Sequence, residues 1–220
     1  MPRGRPLTRA GILAAALDVI DADGLDALSM RNLAARLGVQ AMSLYHHVAD
    51  KAALLDGIHE LLITSMDIDV EALSWDDALR RLAASYRAVA LTHPHAFILL
   101  ATRPVSTRVE VEHIAPGVAA LARAGFPAAE QLFMINLFFC SLNGLLLAEV
   151  APTPGHADVP NPDLVAAFAG ATGAQPQVGE LGALLADIES NGGDTAFFST
   201  EFDAYVDVLL AGLRARYSRT

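Results

Sequence analysis

Apolar residues recur at helical spacing through most of this chain and strand-like alternation is scarce, so the pattern predicts an all-α fold. Ile12, Leu13, Ala16, Leu17 and Ile20 share one helix face, with Thr8 placed to cap that helix and Gly24 to end it. Met30, Leu33, Ala34 and Leu37 form a shorter stripe that starts at Ser29, a good cap, and stops at Gly38. A third short helix is expected from about Gln40 to His47, with Leu44 and Val48 together on its inner side. Leu25, Leu28 and Val39 complete a small core for these three helices. Helix, glycine turn and helix in succession predict a helix-turn-helix.

Asp50 is placed to cap the next helix, which opens on Lys51 and carries Leu54, Leu55, Ile58, Leu61 and Leu62. It runs straight on from the three-helix lobe and is expected to connect that lobe, over residues 51–66, with the rest of the chain. Acidic residues from Asp67 to Glu71 mark a break, and Ser74 caps a helix striped by Leu79, Leu82, Tyr86 and Val89. Pro94 interrupts the pattern, a short apolar segment spans Phe97 to Ala101, and a further helix ends at Gly125.

The longest apolar helix is expected from Ala128 to Val150. Its continuous apolar run falls short of the roughly 20 residues a membrane span needs, and it carries Asn136, Ser141 and Asn143 between Glu130 and Glu149. Such a helix is better buried by its own domain on one side and by a second subunit on the other. Residues 151–177 predict a long loop rich in proline and glycine, with a short helix from Asp163 to Ala171. Another short helix, Gly179 to Ser190, precedes an Asn191-Gly192-Gly193 break and a last helix from Asp194 to Tyr217. The helices that start near Ala128 and Asp194 are the expected homodimer seam.

Composition sharpens this picture in three ways. A hydrophobic fraction of 53% with 18% charged residues provides a sizeable core. The net charge of −10 argues against a nucleic-acid binder until its distribution is considered. The first 51 residues hold six basic side chains against five acidic ones, and the acidic surplus lies beyond them. That asymmetry suits DNA held at one end, with the acidic body repelled from it. The basic start MPRGRP, whose Arg3 and Arg5 suit phosphate or a minor groove, is followed by no apolar leader, so a cytoplasmic location is expected. The lone cysteine, Cys140, lies in an apolar run and is expected as a buried small hydrophobe. No Ser-His-Asp arrangement, glycine-rich phosphate loop, metal cluster or catalytic carboxylate pair stands out, so an enzyme is not expected.

The residues DADGLDALSM, RNLAARLGV and SLYHHVADKAALLDGI resemble the TetR family of bacterial transcription regulators over about residues 8–64. Ser74-Trp75, the Ala101-Thr102-Arg103-Pro104 turn and Ala124-Gly125-Phe126 look like the branch nearest the tetracycline repressor. The resemblance implies a DNA-binding domain over residues 1–50 and a ligand-binding and dimerisation domain over 51–220. It implies that Arg31 reads a base from the second helix, with Ala41, Met42 and Ser43 at base edges and Tyr45, His47 and Lys51 at phosphates. Gln40 and His46 belong to the same surface. Arginine suits guanine, and serine and methionine suit hydroxyl and thymine-methyl contacts.

On the ligand side the pattern departs from that branch. Leu99 stands where a magnesium-binding histidine is expected, Asp67 where a drug-contacting histidine is, and Ala148 where a metal-linked glutamate is. A leucine has no lone pair for a hydrated metal. The expectation is therefore an apolar or amphipathic effector, with no cofactor and no obligatory metal. The candidate ligand residues are His93, Phe97, Thr102, Arg103, His113, Phe133, Asn136, Phe139, Cys140 and Asn143. Asn136 and Asn143 either line one cavity or bond between helices, and a metal on His93 and His95 is poorly supported. The whole predicts a homodimeric repressor that binds a palindromic operator and is released by a small molecule. An activator, or a ligand-binding protein of the same fold, is the alternative.

Overall fold

The structure is a computed structural model that describes residues 7–150 and 193–217. Among these residues every regular element is helical, so the all-α expectation holds. The chain divides into two compact units, Met1–Ala151 and Pro152–Thr220. The elements expected over 151–192, and the arginines of residues 1–6, lie outside the described residues.

The first helices form where the pattern placed them. α1 (Arg9–Asp23) starts at Thr8, whose hydroxyl accepts from the Gly11 N–H, and stops at Gly24 with φ 83°. After a single 3₁₀ turn, Leu25–Ala27, comes α2 (Met30–Leu37), capped by Ser29 on the Asn32 N–H. Gly38 adopts the left-handed φ of 67° that ends α2 and turns the chain into α3 (Ala41–Tyr45). α3 is shorter than the expected Gln40–His47, because His46 and His47 continue only as a turn. Ile12, Ile20, Leu28, Leu33 and Leu44 are fully buried and make the core of this lobe.

α4 (Lys51–Thr64) is capped by Asp50, which accepts from the Ala53 N–H at 2.8 Å. It lies against α1, where Gly57 matters: a Cβ there would stand 2.6 Å from a methyl of Leu13. The other side of α4 faces α6 and α7, so this one helix belongs both to the helix-turn-helix lobe and to the bundle behind it. The expected boundary at residue 50 falls inside the first compact unit.

The bundle is built from α5 (Trp75–Thr92), α6 (Phe97–Thr102), α7 (Arg108–Arg123) and α8 (Ala128–Val150). Thr107 and Glu110 form a reciprocal capping box at the start of α7. α8 buries Met134, Phe138, Leu142 and Leu146, four residues apart along one face, and exposes Leu132, Phe133 and Leu137. It is long and apolar enough to cross a membrane by length and composition. Two of its polar residues nonetheless bond α5: Glu149 bonds the Arg87 guanidinium at 3.0 Å, and Asn143 accepts from the Tyr86 hydroxyl at 2.6 Å. In the second unit, α9 (Gly193–Tyr217) buries Phe202, Val206, Leu210 and Leu213 and exposes Tyr205 and Val208.

Candidate nucleic-acid interface and effector cavity

The turn at Gly38 and the burial of Leu44 decide which side of α3 faces solvent. Met42 is 69% exposed, Gln40, Tyr45, His46 and His47 are exposed, and Ala41 and Ser43 are half-buried at the same edge. Arg31 is exposed near the start of α2, and Lys51 is exposed at the start of α4. These side chains therefore share the outer surface of one small lobe, and α3 carries no acid to repel phosphate.

Behind the lobe, α4, α5, α6, α7 and α8 border a cavity of about 650 Å³. That volume suits a drug-sized organic molecule. The walls are mostly apolar: Ile63, Met66, Leu100, Pro104, Val105, Ile114, Leu132, Ile135 and Phe139. Of the ten candidate ligand residues, Thr102, Arg103, Asn136, Phe139, Cys140 and Asn143 line it. Leu132, Ile135, Asn136, Phe139, Cys140 and Asn143 follow helical spacing, which is why one face of α8 supplies so much of the wall.

The other four candidates are placed elsewhere, each for a visible reason. His93 is engaged by Asp21 of α1, with Nδ1 and Oδ2 2.8 Å apart. Phe97 is buried, edge-on to the Tyr86 ring at 5.4 Å. His113 directs Nε2 to the Met66 carbonyl at 2.9 Å. Phe133, one step round α8 from the cavity wall, is exposed on its outer side. Cys140 also corrects its expectation: the thiol is exposed at the cavity rather than buried, and it donates to the Asn136 side-chain oxygen at 3.3 Å. Asn143 combines both alternatives, because it lines the cavity while bonding Tyr86 and the Ala101 carbonyl. Burial raises the Tyr86 phenol above its ordinary pKa, and the nearby Cys140 adds to that shift.

The positions of the branch's magnesium-binding and drug-contacting histidines are otherwise engaged. Leu99 is buried in α6, off the cavity wall, and Asp67 pairs with Arg81. No cluster of three metal-ligating side chains occurs among the described residues.

Two polar residues of the cavity wall are not among the sequence candidates, Tyr86 and His59. His59 lies on α4 at 2% exposure, with Nδ1 2.6 Å from Oε1 of the fully buried Glu110 on α7. The second oxygen of Glu110 accepts the Ser106 and Thr107 N–H groups at 2.7 and 2.8 Å. Burial alone would raise this carboxyl. The two backbone bonds and the imidazole outweigh burial and hold it below its ordinary 4.5. The Thr107-x-x-Glu110 capping spacing was legible in the sequence, but the partner 51 residues away was not.

Residues 12–58 match the family model described as bacterial regulatory proteins, tetR family, and residues 69–217 match the tetracyclin repressor-like C-terminal domain. An HTH-type transcriptional regulator of Saccharopolyspora erythraea is 39% identical over 132 residues, which cover 59% of this chain and 56% of that protein. The class D tetracycline repressor protein of Escherichia coli is 30% identical over 158 residues, 70% of this chain and 72% of its own length. Among solved structures, ActR of Streptomyces coelicolor in complex with actinorhodin superposes with a TM-score of 0.74 at 25% identity, covering 95% of this chain and 99% of that one. The two family models account for nearly the whole described chain, lobe and bundle alike, and so the chain belongs to the TetR family as a helix-turn-helix transcriptional regulator.

Proposed function

We propose that this regulator is a repressor that binds a palindromic operator as a homodimer and is released by an organic effector in the α4–α8 cavity. The observation that carries the reading is the double membership of α4. Its outer end starts at Lys51 beside the recognition surface, and its buried side supplies His59 and Ile63 to the cavity. A ligand that prefers one setting of α4 changes the placement of the lobe, and a differential affinity of a few kcal/mol is enough. Two lobes would read major grooves roughly 34–36 Å apart on the operator. The exposed Leu132, Phe133 and Leu137 of α8 and Tyr205 and Val208 of α9 support a subunit seam on these helices. The ActR complex with actinorhodin supports an organic effector, and the cavity wall favours an apolar or amphipathic one.

An operator selected from random-sequence DNA provides the test. Arg31→Ala is expected to weaken operator binding by about 10- to 100-fold and to relax one base position, in keeping with about 1–3 kcal/mol for a bidentate contact. Ser43→Ala is expected to lose less, because a hydroxyl offers a single bond. Unchanged affinity and selectivity in both variants would remove α2 and α3 as the DNA reader. Light scattering is expected to give a dimer at micromolar concentration, and a stable monomer would remove the seam.

A further inference from the structure

We propose that the effector bears a hydroxyl group on an aromatic frame, and that His59 on α4 selects it by accepting its proton in a hydrogen bond. This rests on the reading of the cavity as the effector site.

The inference starts from Glu110. Its two oxygens take the Ser106 N–H, the Thr107 N–H and the His59 ring, and a carboxylate accepts where a protonated acid would have to donate. The group facing its Oε1 must therefore be an N–H, which places a proton on His59 Nδ1. In the neutral ring the other nitrogen, Nε2, then carries a bare lone pair. Among the described residues, no hydrogen bond to Nε2 accompanies that to Nδ1, and His59 is part of the cavity wall. The carboxylate fixes the tautomer, as an acid fixes the ring of a metal-bound or catalytic histidine.

The cavity wall thus offers, at His59, an acceptor to which no other described residue donates. A ligand hydroxyl fits it, whereas an ether or ketone oxygen meets it lone pair to lone pair. Three other polar groups on the wall are already engaged within the protein. The Tyr86 hydroxyl is given to Asn143, the Thr102 hydroxyl to the Ile98 carbonyl, and Arg103 to Asp56. The rings of Phe139 and Tyr86, with Leu100, Ile135 and Ile63, favour a flat apolar frame around that hydroxyl. Because His59 sits on α4, the bond that selects the ligand is also made to the helix that carries the lobe.

The test compares 2-hydroxyanthraquinone with 2-methoxyanthraquinone, which keeps the oxygen and lacks the donor, by titration of the full chain without DNA. The wild type is expected to bind the phenol about tenfold more tightly or better. His59→Phe is expected to bring the two probes to within about twofold by weakening the phenol and not the ether. If circular dichroism shows that variant unfolded, His59→Gln replaces it, since an amide donates and accepts alike and the preference falls there too. Equal affinities in the wild type, no binding of either probe, or a preference that survives both His59 substitutions would overturn the proposal. A wild type that prefers the phenol but binds no selected operator would sink the regulator reading and leave this one standing. Operator binding without phenol preference would do the reverse.

Discussion

Glu110→Ala is expected to lower the melting temperature of the protein by on the order of 10 °C, from a loss of about 3–5 kcal/mol. Three bonds end together in this substitution: those from the His59 ring and from the Ser106 and Thr107 N–H groups. His59, at 2% exposure, is left without its acceptor, and breaking one side of a buried pair costs more than the pair contributes. His59→Leu combined with Glu110→Leu is expected to recover part of the loss, because it removes both polar groups. It cannot recover all, since the carboxylate half of the α7 capping box is still missing. Calorimetry of the two variants reads this directly, and a fall under about 1 kcal/mol in Glu110→Ala would show that the pair is not what holds α4 to α7.

The same pair sets a pH dependence whose sign follows from Glu110. Its folded pKa lies below the ordinary 4.5, so its contribution is full above that pH and is lost as pH falls through the lowered value. The stability gap between wild type and Glu110→Gln should therefore persist from neutral pH down to 4.5 and close below it.

Leu44→Ala is expected to abolish operator binding while leaving the cavity able to bind its probe. Leu44 is the fully buried residue of α3, a helix of five residues with little stability of its own. Deleting a buried leucine costs about 2–5 kcal/mol, and here the loss falls on one small three-helix core. The α5–α8 part of the cavity does not use Leu44. Parallel measurement of operator affinity, probe affinity and helix content separates the outcomes. Retained DNA binding would mean that α3 holds its shape without this anchor.

Much of the helical plan was legible because it rests on local signals. Thr8, Ser29, Asp50, Ser74 and Thr107 each accept from an N–H three residues on, and Gly24, Gly38 and Gly125 each take a positive φ at a helix end. Spacing also put Asn136 and Asn143 on one face of α8, and that face borders the cavity. The misses are long-range. His93 is among the candidate ligand residues, yet it and His95 meet Asp21 from 72 and 74 residues away. His59 reads in the sequence as one polar break in an apolar stripe, and only the approach of α7 gives it a partner. Cys140 lies in an apolar run, but composition does not say whether the neighbouring space is filled. An apolar stretch borders a cavity as readily as a core.

The two amide hydrogens of Ser106 and Thr107 end on the same carboxyl that faces His59. Fraying of the first turn of α7 and release of α4 are therefore one opening event rather than two. Deuterium uptake at these two amides becomes a clock for the regulator's internal linkage. It should slow whenever α4 is held in place and quicken whenever α4 swings, with no need to see the DNA or the ligand at all.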